Sequence, residues 1–424
     1  MSWKPATVQG SSPPIRPEPV QYRQMAQVSL SSETRSRALR FVVLIGVLSL
    51  FADLVYEGSR SILGPYLAVL GAGFFAVGVI TGAGELLGYA LRLVSGRLAD
   101  RTRAYWPITI AGYVIQMVAV PLLALAGSWP AAAVLIVAER VGKATRNPPR
   151  DVMVSHAGKQ IGLGWAFGLK EGLDQLGAMI GPLAMAAILA IRADDFRLAF
   201  GSLAIPAAIT LSLVGVARIQ YPRPHELEVA EIEPPELDAS GLPRVFWIYL
   251  VAAALVAAGF ADFPLIALHL ERASVIGTDL IPVLYAVAMG SAGLASLVLG
   301  KVFDRSGIGM LVPVTVVSAV YAPLVFLGGT WGAVVGAALW GVGLGAHESI
   351  VPAAVAPMVP IPRRASAYGT FTAGFGIAWF LGSAAIGGLL GYVSTAAVVA
   401  FAVVIQLTAI PLLLRVQRIT AAAR

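Results

Sequence analysis

The sequence predicts an all-α integral membrane protein with about twelve transmembrane helices, arranged as two pseudo-symmetric six-helix bundles. Three observations support this fold class. Hydrophobic residues make up 58% of the 424 residues, charged residues only 12%, and the mean hydropathy of +0.80 is far above that of soluble proteins. Apolar runs of about 20 residues, long enough to cross a bilayer, recur along the chain. Short patterns of the first half also return in the second half in the same order.

The apolar runs form two sets of six that are separated by one polar segment. We expect spans at about 41–70, 74–95, 106–126, 130–147, 164–191, 196–217, 245–269, 279–300, 308–328, 331–358, 364–391 and 394–416. The segment between the sets is proline-rich and acidic, a composition that does not fold alone. The predicted organisation is a cytoplasmic tail (1–40), a first bundle (41–217), a cytoplasmic linker (218–244), a second bundle (245–416) and a C-terminal cytoplasmic tail (417–424).

The basic residues predict the orientation of the chain. Lys and Arg concentrate in the tails, the linker and every second loop, whereas the opposite loops hold only Arg192, Arg197 and Arg272. Because basic loops stay in the cytoplasm, both termini are predicted to be cytoplasmic. The net charge of +7 is thereby explained by topology, and no nucleic-acid partner is expected.

Several function classes are disfavoured by what the sequence lacks. The chain has no Cys, and its four His and scattered carboxylates have no metal-ligand spacing. We find no nucleotide motif and no arrangement of nucleophile and base in a segment large enough for an active site. The sequence therefore predicts no cofactor, no metal site, no direct use of ATP and no enzymatic activity; a membrane-embedded enzyme is the weakest alternative.

One short pattern occurs at the end of the second span and again at the end of the eighth. GRLADR spans 96–101 and GKVFDR spans 300–305, and Phe-Ala-Asp likewise occurs at 51–53 and 260–262. In the same alignment of the two halves, Gly181 matches Gly382. This doubled pattern resembles the signature of the major facilitator superfamily of transporters. The segments 139–151 and 164–182 resemble those of a bacterial branch of efflux-type permeases, except that Lys170-Glu171 stands where that branch has a His-containing pair.

The resemblance implies two bundles that rock about a central cavity lined by spans one, four, seven and ten, in a bacterial cytoplasmic membrane. It also implies a cytoplasmic gate at the repeated loops. We assign to this gate ten residues: Gly96, Asp100, Arg101, Arg146, Arg150, Lys170, Asp174, Gly300, Asp304 and Arg305. Pro148 and Pro149 are expected to end the fourth span just beyond Arg146.

Ionisable residues within apolar runs are costly and therefore mark candidate sites. Asp53, Glu57 and Arg60 are spaced four and three residues apart, so they share one helix face and are able to interact along it. Lys170 and Asp174 have the spacing of an ion pair. The candidates for proton coupling are Asp53, Glu57, His347, Glu348 and Asp262. The candidates for substrate binding are Arg60, Glu139, Arg140 and Lys143.

These features together predict a secondary transporter that works by alternating access and exports a small organic or drug-like solute in exchange for protons. The expected partners are this solute, protons and the lipid bilayer, and the expected oligomeric state is a monomer. Two alternatives remain: uptake or exchange of an organic anion held by Arg140 and Lys143, and a non-transporting membrane receptor on the same fold.

Overall fold

The structure of the protein is a computed structural model that describes residues 19–223, 242–355, 358–359 and 364–422. Fourteen helices account for most of these residues. Their bounds are α1 Pro19–Val69, α2 Phe74–Thr102, α3 Tyr105–Leu122, α4 Trp129–Ile161, α5 Leu163–Ile191, α6 Phe196–Ser202, α7 Ala204–Gln220, α8 Arg244–Ala258, α9 Phe263–Arg272, α10 Ile281–Ser306, α11 Leu311–Leu327, α12 Gly329–Ala353, α13 Arg364–Tyr392 and α14 Thr395–Ala422.

Eleven stretches of helix are long and apolar enough to cross a membrane. The pairs α6–α7 and α8–α9 each form one of these stretches. The twelfth spanning element is α4, which packs between α2, α3, α1 and α5 but carries too many charges to qualify by hydropathy alone. The predicted fold class, all-α with about twelve membrane helices, is confirmed.

Several boundaries differ from the predicted spans. Helix α1 begins at Pro19 rather than near Phe41, although its apolar part begins at Thr34. The seventh span is not continuous, because the chain leaves the helix between Ala258 and Phe263. Residues 224–241 of the predicted linker, and residues 1–18 and 423–424 of the predicted tails, lie outside the described part of the chain.

Pro148 and Pro149 do not end the fourth span, contrary to the prediction. Helix α4 includes both prolines and continues to Ile161. A proline removes one backbone hydrogen bond and need not stop a membrane helix that is supported by its neighbours. Arg146 and Arg150 consequently lie within the helix and are buried, not at its end.

The two halves repeat one close helix contact. A Cβ atom added at Gly181 on α5 would lie 2.3 Å from the carbonyl oxygen of Leu54 on α1. At the repeat-related Gly382 on α13, it would lie 2.1 Å from that of Ala258 on α8. In each half, a glycine thus brings the fifth span against the first, as small residues do in membrane helix pairs.

The halves meet closely at one end of the molecule, which we call the distal end: the end at which α1 stops and α2 starts. There a Cβ atom at Gly64 would lie 2.1 Å from Pro264 O, and one at Gly78 would lie 2.4 Å from Ser383 O. A Cβ atom added at Gly88, in the middle of α2, or at Gly300, near the opposite, proximal end of α10, would meet no atom within 4 Å. The halves are therefore closed at the distal end, and we call the space between them on the proximal side, bordered by the exposed side chains of Glu171 and Glu348, the cleft.

Candidate functional site in the cleft between the halves

The break between α8 and α9 places Asp262 at the junction of the two halves. Its side chain is fully buried and accepts hydrogen bonds from Trp379 Nε1 at 2.9 Å and Ser383 Oγ at 2.5 Å. A third donor, Nη2 of Arg60, comes from α1 in the first half and lies 3.3 Å from Asp262 Oδ1. Asp262 is therefore half of a buried ion pair that joins the two halves.

Side chains satisfy the backbone groups that the break exposes. Ala261 N donates to Tyr321 OH at 2.7 Å, and Ala261 O accepts from Trp340 Nε1 at 2.8 Å. Gly259 O accepts from Gln406 Nε2 at 3.0 Å. Irregular backbone at membrane depth is tolerated only when such partners exist. A sequence signal for this break was present in Pro264, which lies in the first turn of α9, a position that proline favours.

Glu85 on α2 is the centre of a second charged cluster. Its Oε1 atom lies 3.0 Å from Arg60 Nη2 and 3.3 Å from Arg140 Nη2. Both arginines also donate to the hydroxyl group of Tyr56, and Arg140 Nε lies 3.5 Å from Glu139 Oε2. Three of the predicted substrate-binding residues, Arg60, Glu139 and Arg140, are therefore buried in ion pairs within the protein.

Arg146 lies at the centre of a third cluster, inside the first half. Its side chain is 0% exposed, and it contacts Asp53 Oδ1 at 3.3 Å, Gln116 Oε1 at 2.6 Å and Tyr113 OH at 2.9 Å. Gln116 in turn donates to Glu139 Oε1 at 3.0 Å. The guanidinium group is thus fully partnered, as a buried charge requires.

Asp53, Glu57 and Arg60 share a helix face as predicted, but their partners include residues of other helices and not one another. Asp53 pairs with Arg146 and Arg60 with Glu85 and Asp262. Glu57 Oε2 accepts a hydrogen bond of 2.6 Å from Tyr285 OH on α10, in the other half. This bond between Tyr285 and Glu57 is a second polar link between the halves.

The fourth predicted substrate-binding residue, Lys143, differs from the other three. Its Nζ atom lies 3.2 Å from the centroid of the Tyr56 ring, a cation–π geometry. The side chain is only partly buried. It lies within electrostatic range of Asp53 and Glu57. Lys143 therefore lies close to the polar face of α1, against Tyr56.

His347 and Glu348 are neighbours on α12 in very different surroundings. His347 is buried among the rings of Phe260, Phe375 and Trp379, with centroid distances of 4.5, 5.9 and 5.6 Å. Neither of its ring nitrogens has a hydrogen-bond partner within the described residues. It lines a small cavity inside the second half, together with Thr315 and Ser318. Glu348, in contrast, is exposed in the cleft.

The predicted gate residues are spread along the proximal half of the molecule. Lys170 Nζ lies 2.6 Å from Asp174 Oδ2, so the predicted ion pair is present. Arg150 donates to Asp151 and, at 3.1 Å, to Ser49 Oγ. Arg101 and Arg305 are exposed, Gly96 approaches Pro148, and Gly300 is open. The side chains of Asp100 and Asp304 lie outside the described part of the structure. The role of all ten residues in a gate stays a prediction.

Sequence reasoning missed the neutral side chains that hold these charges. Tyr113, Gln116, Tyr285, Trp379 and Ser383 lie in apolar spans and contribute no charge signal. A lone amide such as Gln116, in the otherwise apolar α3, was the available clue, because polar groups in membrane helices usually bond across helices. Within the described ranges, no three His or acidic residues are grouped so as to hold a metal ion.

Comparisons with known proteins agree with this architecture. An uncharacterised protein of Mycobacterium tuberculosis is 41% identical over 383 residues, which cover 90% of this chain and 93% of that protein. An uncharacterised MFS-type transporter of Methanocaldococcus jannaschii is 29% identical over 161 residues, 38% of this chain and 40% of that protein.

Solved structures share the fold at low sequence identity. The nucleoside transporter NupG matches with a TM-score of 0.71 and 15% identity, covering 89% of this chain and 98% of its own. A POT family transporter in complex with 5-aminolevulinic acid matches with a TM-score of 0.73 and 13% identity, covering 90% and 96%. The sequence also matches the Major Facilitator Superfamily over residues 45–355. The chain is a membrane-embedded transporter that belongs to the major facilitator superfamily.

Proposed function

We propose that the protein exports a small organic solute across a bacterial cytoplasmic membrane in exchange for protons. The observation that carries this proposal is the hydrogen bond of 2.6 Å from Tyr285 to Glu57. It joins a carboxylate of one half to a hydroxyl group of the other, on the side where the halves are closed. Proton binding and the relative position of the halves therefore act on the same contact.

The physical coupling follows from the strength of charged hydrogen bonds. A hydroxyl group bonds about twice as strongly to an ionised carboxylate as to a neutral acceptor. A proton on Glu57 thus weakens its bond to Tyr285 and favours separation of the halves at the distal end. Loss of the proton restores the bond and favours the closed distal end that the structure has. Such a shift between two states is the basis of alternating access.

The other proton-coupling candidates differ in how firmly they are held. Asp53 faces Arg146, and Asp262 has three donors; both carboxylates are therefore held in place by partners on other helices. Glu348 is exposed in the cleft, and neither ring nitrogen of His347 has a hydrogen-bond partner in the described residues. We accordingly propose Glu57 and Glu348 as the exchanging carboxylates, and Asp53 and Asp262 as the side chains that position Arg146 and Arg60.

The proposal also includes the orientation of the protein in the membrane, the position of the gate and the oligomeric state. Basic loops at the proximal end favour a cytoplasmic position for that end and for both termini. The gate residues named above would then close the cleft on the cytoplasmic side. One chain supplies both halves of the cleft, so a monomer suffices as the transport unit.

The test requires a ligand first, found by thermal stabilisation of the purified protein with a panel of small organic solutes. Vesicles containing the protein are then assayed for accumulation of that ligand under a pH gradient and for exchange without one. We expect accumulation in the wild type and its loss in Glu57→Gln, with exchange retained. Tyr285→Phe removes the same hydrogen bond but keeps the carboxylate; because the proposed coupling acts through this bond, this variant should also lose accumulation driven by the gradient.

Two results would contradict the proposal. Accumulation that ignores the gradient, and is equal in the wild type and Glu57→Gln, would exclude proton coupling at this residue. A ligand that stabilises the protein but never crosses the vesicle membrane would instead favour a non-transporting receptor.

A further inference from the structure

The internal repeat relates the Arg146 cluster of the first half to three residues of the second half. Helices α3 and α11 each contain a proline towards the C-terminal end, Pro121 and Pro323. We align these prolines, and also the glycines that lie four residues before Arg146 and four before His347. The resulting pairs are Tyr113 with Thr315, Gln116 with Ser318, and Arg146 with His347.

The packing of the helices supports this alignment. A Cβ atom added at Gly142 on α4 would lie 2.8 Å from the Cβ atom of Gln116, and one added at Gly343 on α12 would lie 3.3 Å from that of Ser318. In each half, the aligned glycine therefore lies against the aligned residue of the neighbouring helix. The helix pairs α3–α4 and α11–α12 have similar packing at this level.

The paired side chains nevertheless make different contacts. In the first half, Arg146 Nε donates to Gln116 Oε1 at 2.6 Å and Nη1 donates to Tyr113 OH at 2.9 Å. In the second half, neither the ring nitrogens of His347 nor the hydroxyl group of Ser318 have a hydrogen-bond partner among the described residues. His347 is only 4% exposed and Ser318 only 1%. Buried polar groups without partners are unfavourable, so these two require an explanation.

The same side chains line a cavity between α8, α11, α12 and α14. Thr315, Ser318 and His347 contribute to its lining, and most of the other lining residues are aliphatic. The centre of a water molecule has about 20 Å³ available in this cavity, and about 10–15 Å³ is enough to hold one. The cavity therefore accommodates a water molecule but not an organic solute.

The lining also supplies the two to four hydrogen-bond partners that a buried water requires. A neutral imidazole ring offers one donor and one acceptor, and a serine hydroxyl group offers both functions. Thr315 Oγ1 donates to Leu311 O at 2.8 Å, and its oxygen is still able to accept. Water satisfies both kinds of group at once because it donates and accepts.

We propose that a water molecule binds between His347 and Ser318, in the position that the contact between Arg146 and Gln116 occupies in the first half. This inference does not depend on the transported solute or on proton coupling. It makes the two halves unequal: a charged hydrogen bond joins α3 to α4, whereas exchangeable water joins α11 to α12. Charged hydrogen bonds are about twice as strong as neutral ones, so the contact between α11 and α12 is the looser of the two at this level.

The test uses the full-length protein purified in detergent. A brief X-ray exposure converts water to hydroxyl radicals, which oxidise the side chains that contact this water, and mass spectrometry measures the oxidation of each residue. We expect oxidation of His347 in spite of its burial. Tyr392, which is 79% exposed, should also be oxidised. Trp340 is fully buried and donates to Ala261 O, so it should not be.

Ser318→Gln tests whether the water lies between the two residues. Because glutamine at the equivalent position of the first half reaches Arg146, glutamine at 318 should fill the cavity and bond to His347 directly. Oxidation of His347 should fall about tenfold or more, because the filled cavity has no space for water, while oxidation of Tyr392 stays unchanged. The matched control is Ser212→Gln on the exposed face of α7, which should leave His347 as in the wild type.

Ser318→Ala is a smaller change that gives a second measurement. If Ser318 bonds to water, this variant should melt at a lower temperature than the wild type, because the water loses a partner. A hydroxyl group buried without any partner is unfavourable, so its removal from a dry cavity would raise the melting temperature instead. The elution profile and the melting temperature check the folding of every variant.

Four results would overturn the inference. Oxidation of Tyr392 without oxidation of His347 would mean that the cavity holds no water. Equal oxidation of His347 and Trp340 would mean that the second half opens as a whole. Unchanged oxidation of His347 in Ser318→Gln would place the water elsewhere, and a higher melting temperature of Ser318→Ala would show that its hydroxyl group has no partner.

Discussion

Arg60 of the first half and Asp262 of the second half form a buried ion pair, with Nη2 and Oδ1 3.3 Å apart. The same guanidinium group also contacts Glu85 at 3.0 Å. Arg60 therefore connects α1 with α2 in the first half. It also connects α1 with the seventh span of the second half, which is interrupted between α8 and α9. Separation of the halves at the distal end must break the contact with Asp262, whereas the contact with Glu85 is able to persist.

We predict that Asp262→Asn shifts the protein toward a state that is open at the distal end. The substitution keeps the size of the side chain and leaves Arg60 its contact with Glu85, but it removes the charge that holds the halves together. Removing one partner of a buried ion pair costs about 3–5 kcal/mol, and the contact with Glu85 offsets part of this cost. Spin labels at Phe75→Cys and Tyr392→Cys, whose rings lie 6.2 Å apart across the distal end, would report the separation.

The chain has no native Cys, so these two labels are free of background. Asp194→Asn serves as the charge-removing control and should leave the label distance unchanged. An unchanged distance in Asp262→Asn would show that the ion pair does not hold the distal end closed.

Gly64→Ala should produce the same shift through steric repulsion. A methyl group at this position would lie 2.1 Å from Pro264 O, a backbone atom that is unable to rotate away. Overpacking of this kind costs about 1–3 kcal/mol, and ~1.4 kcal/mol changes an equilibrium tenfold. The label pair at the distal end should therefore show a larger population of long distances. Gly88→Ala on α2, where the added atom meets open space, should not; equal distances in the two variants would refute this role of Gly64.

The sequence predicted contacts within a helix better than contacts between helices. Lys170 and Asp174 are four residues apart on one helix, so the periodicity of the helix alone brought them together. The partners of Asp53, Glu57 and Arg60 instead come from α4, α10, α2 and the start of α9. Helix packing decides such pairs, and a hydrophobicity pattern gives the faces of helices but not their neighbours.

The internal repeat of the sequence predicted some structural features that single residues did not. The alignment of Gly181 with Gly382 predicted equivalent positions, and both glycines press against the first helix of their own half. The alignment of Asp53 with Asp262 did not predict the break in the helix, since α1 is continuous at Asp53. Two related positions have thus diverged: one carboxylate binds Arg146 within its half, and the other binds Arg60 across the interface.

Trp340→Phe should lower the melting temperature of the protein. Trp340 is fully buried and donates to Ala261 O at 2.8 Å. Phenylalanine would leave that carbonyl group buried without this donor, at a cost of about 1–3 kcal/mol. On the same helix, Trp331 is 81% exposed, so Trp331→Phe is the matched control and should change the melting temperature little. A similar decrease in both variants would mean that loss of the indole ring, rather than of the bond at the break, is responsible.

The close contact of α5 with α1 predicts a strong contrast between two glycines of one helix. A Cβ atom at Gly181 would lie 2.3 Å from Leu54 O and 2.9 Å from Gly58 N, whereas at Gly172 it would meet open space. Gly181→Ala should therefore destabilise the first half by about 1–3 kcal/mol, as overpacking does. Gly172→Ala should be neutral or stabilise the helix by up to about 1 kcal/mol, because alanine has the higher helix propensity.

Thermal unfolding of the two variants in the same detergent would measure this difference, and flux assays on both would show its effect on function. Because α1 carries Asp53, Glu57 and Arg60, a displaced α1 should also weaken ligand binding in Gly181→Ala, while Gly172→Ala retains it. If both variants unfold at the temperature of the wild type, then the α1–α5 contact is looser than the structure shows. The positions of the three charged residues on α1 would then have to be fixed by their ion pairs with other helices, and not by the packing of α1 on α5.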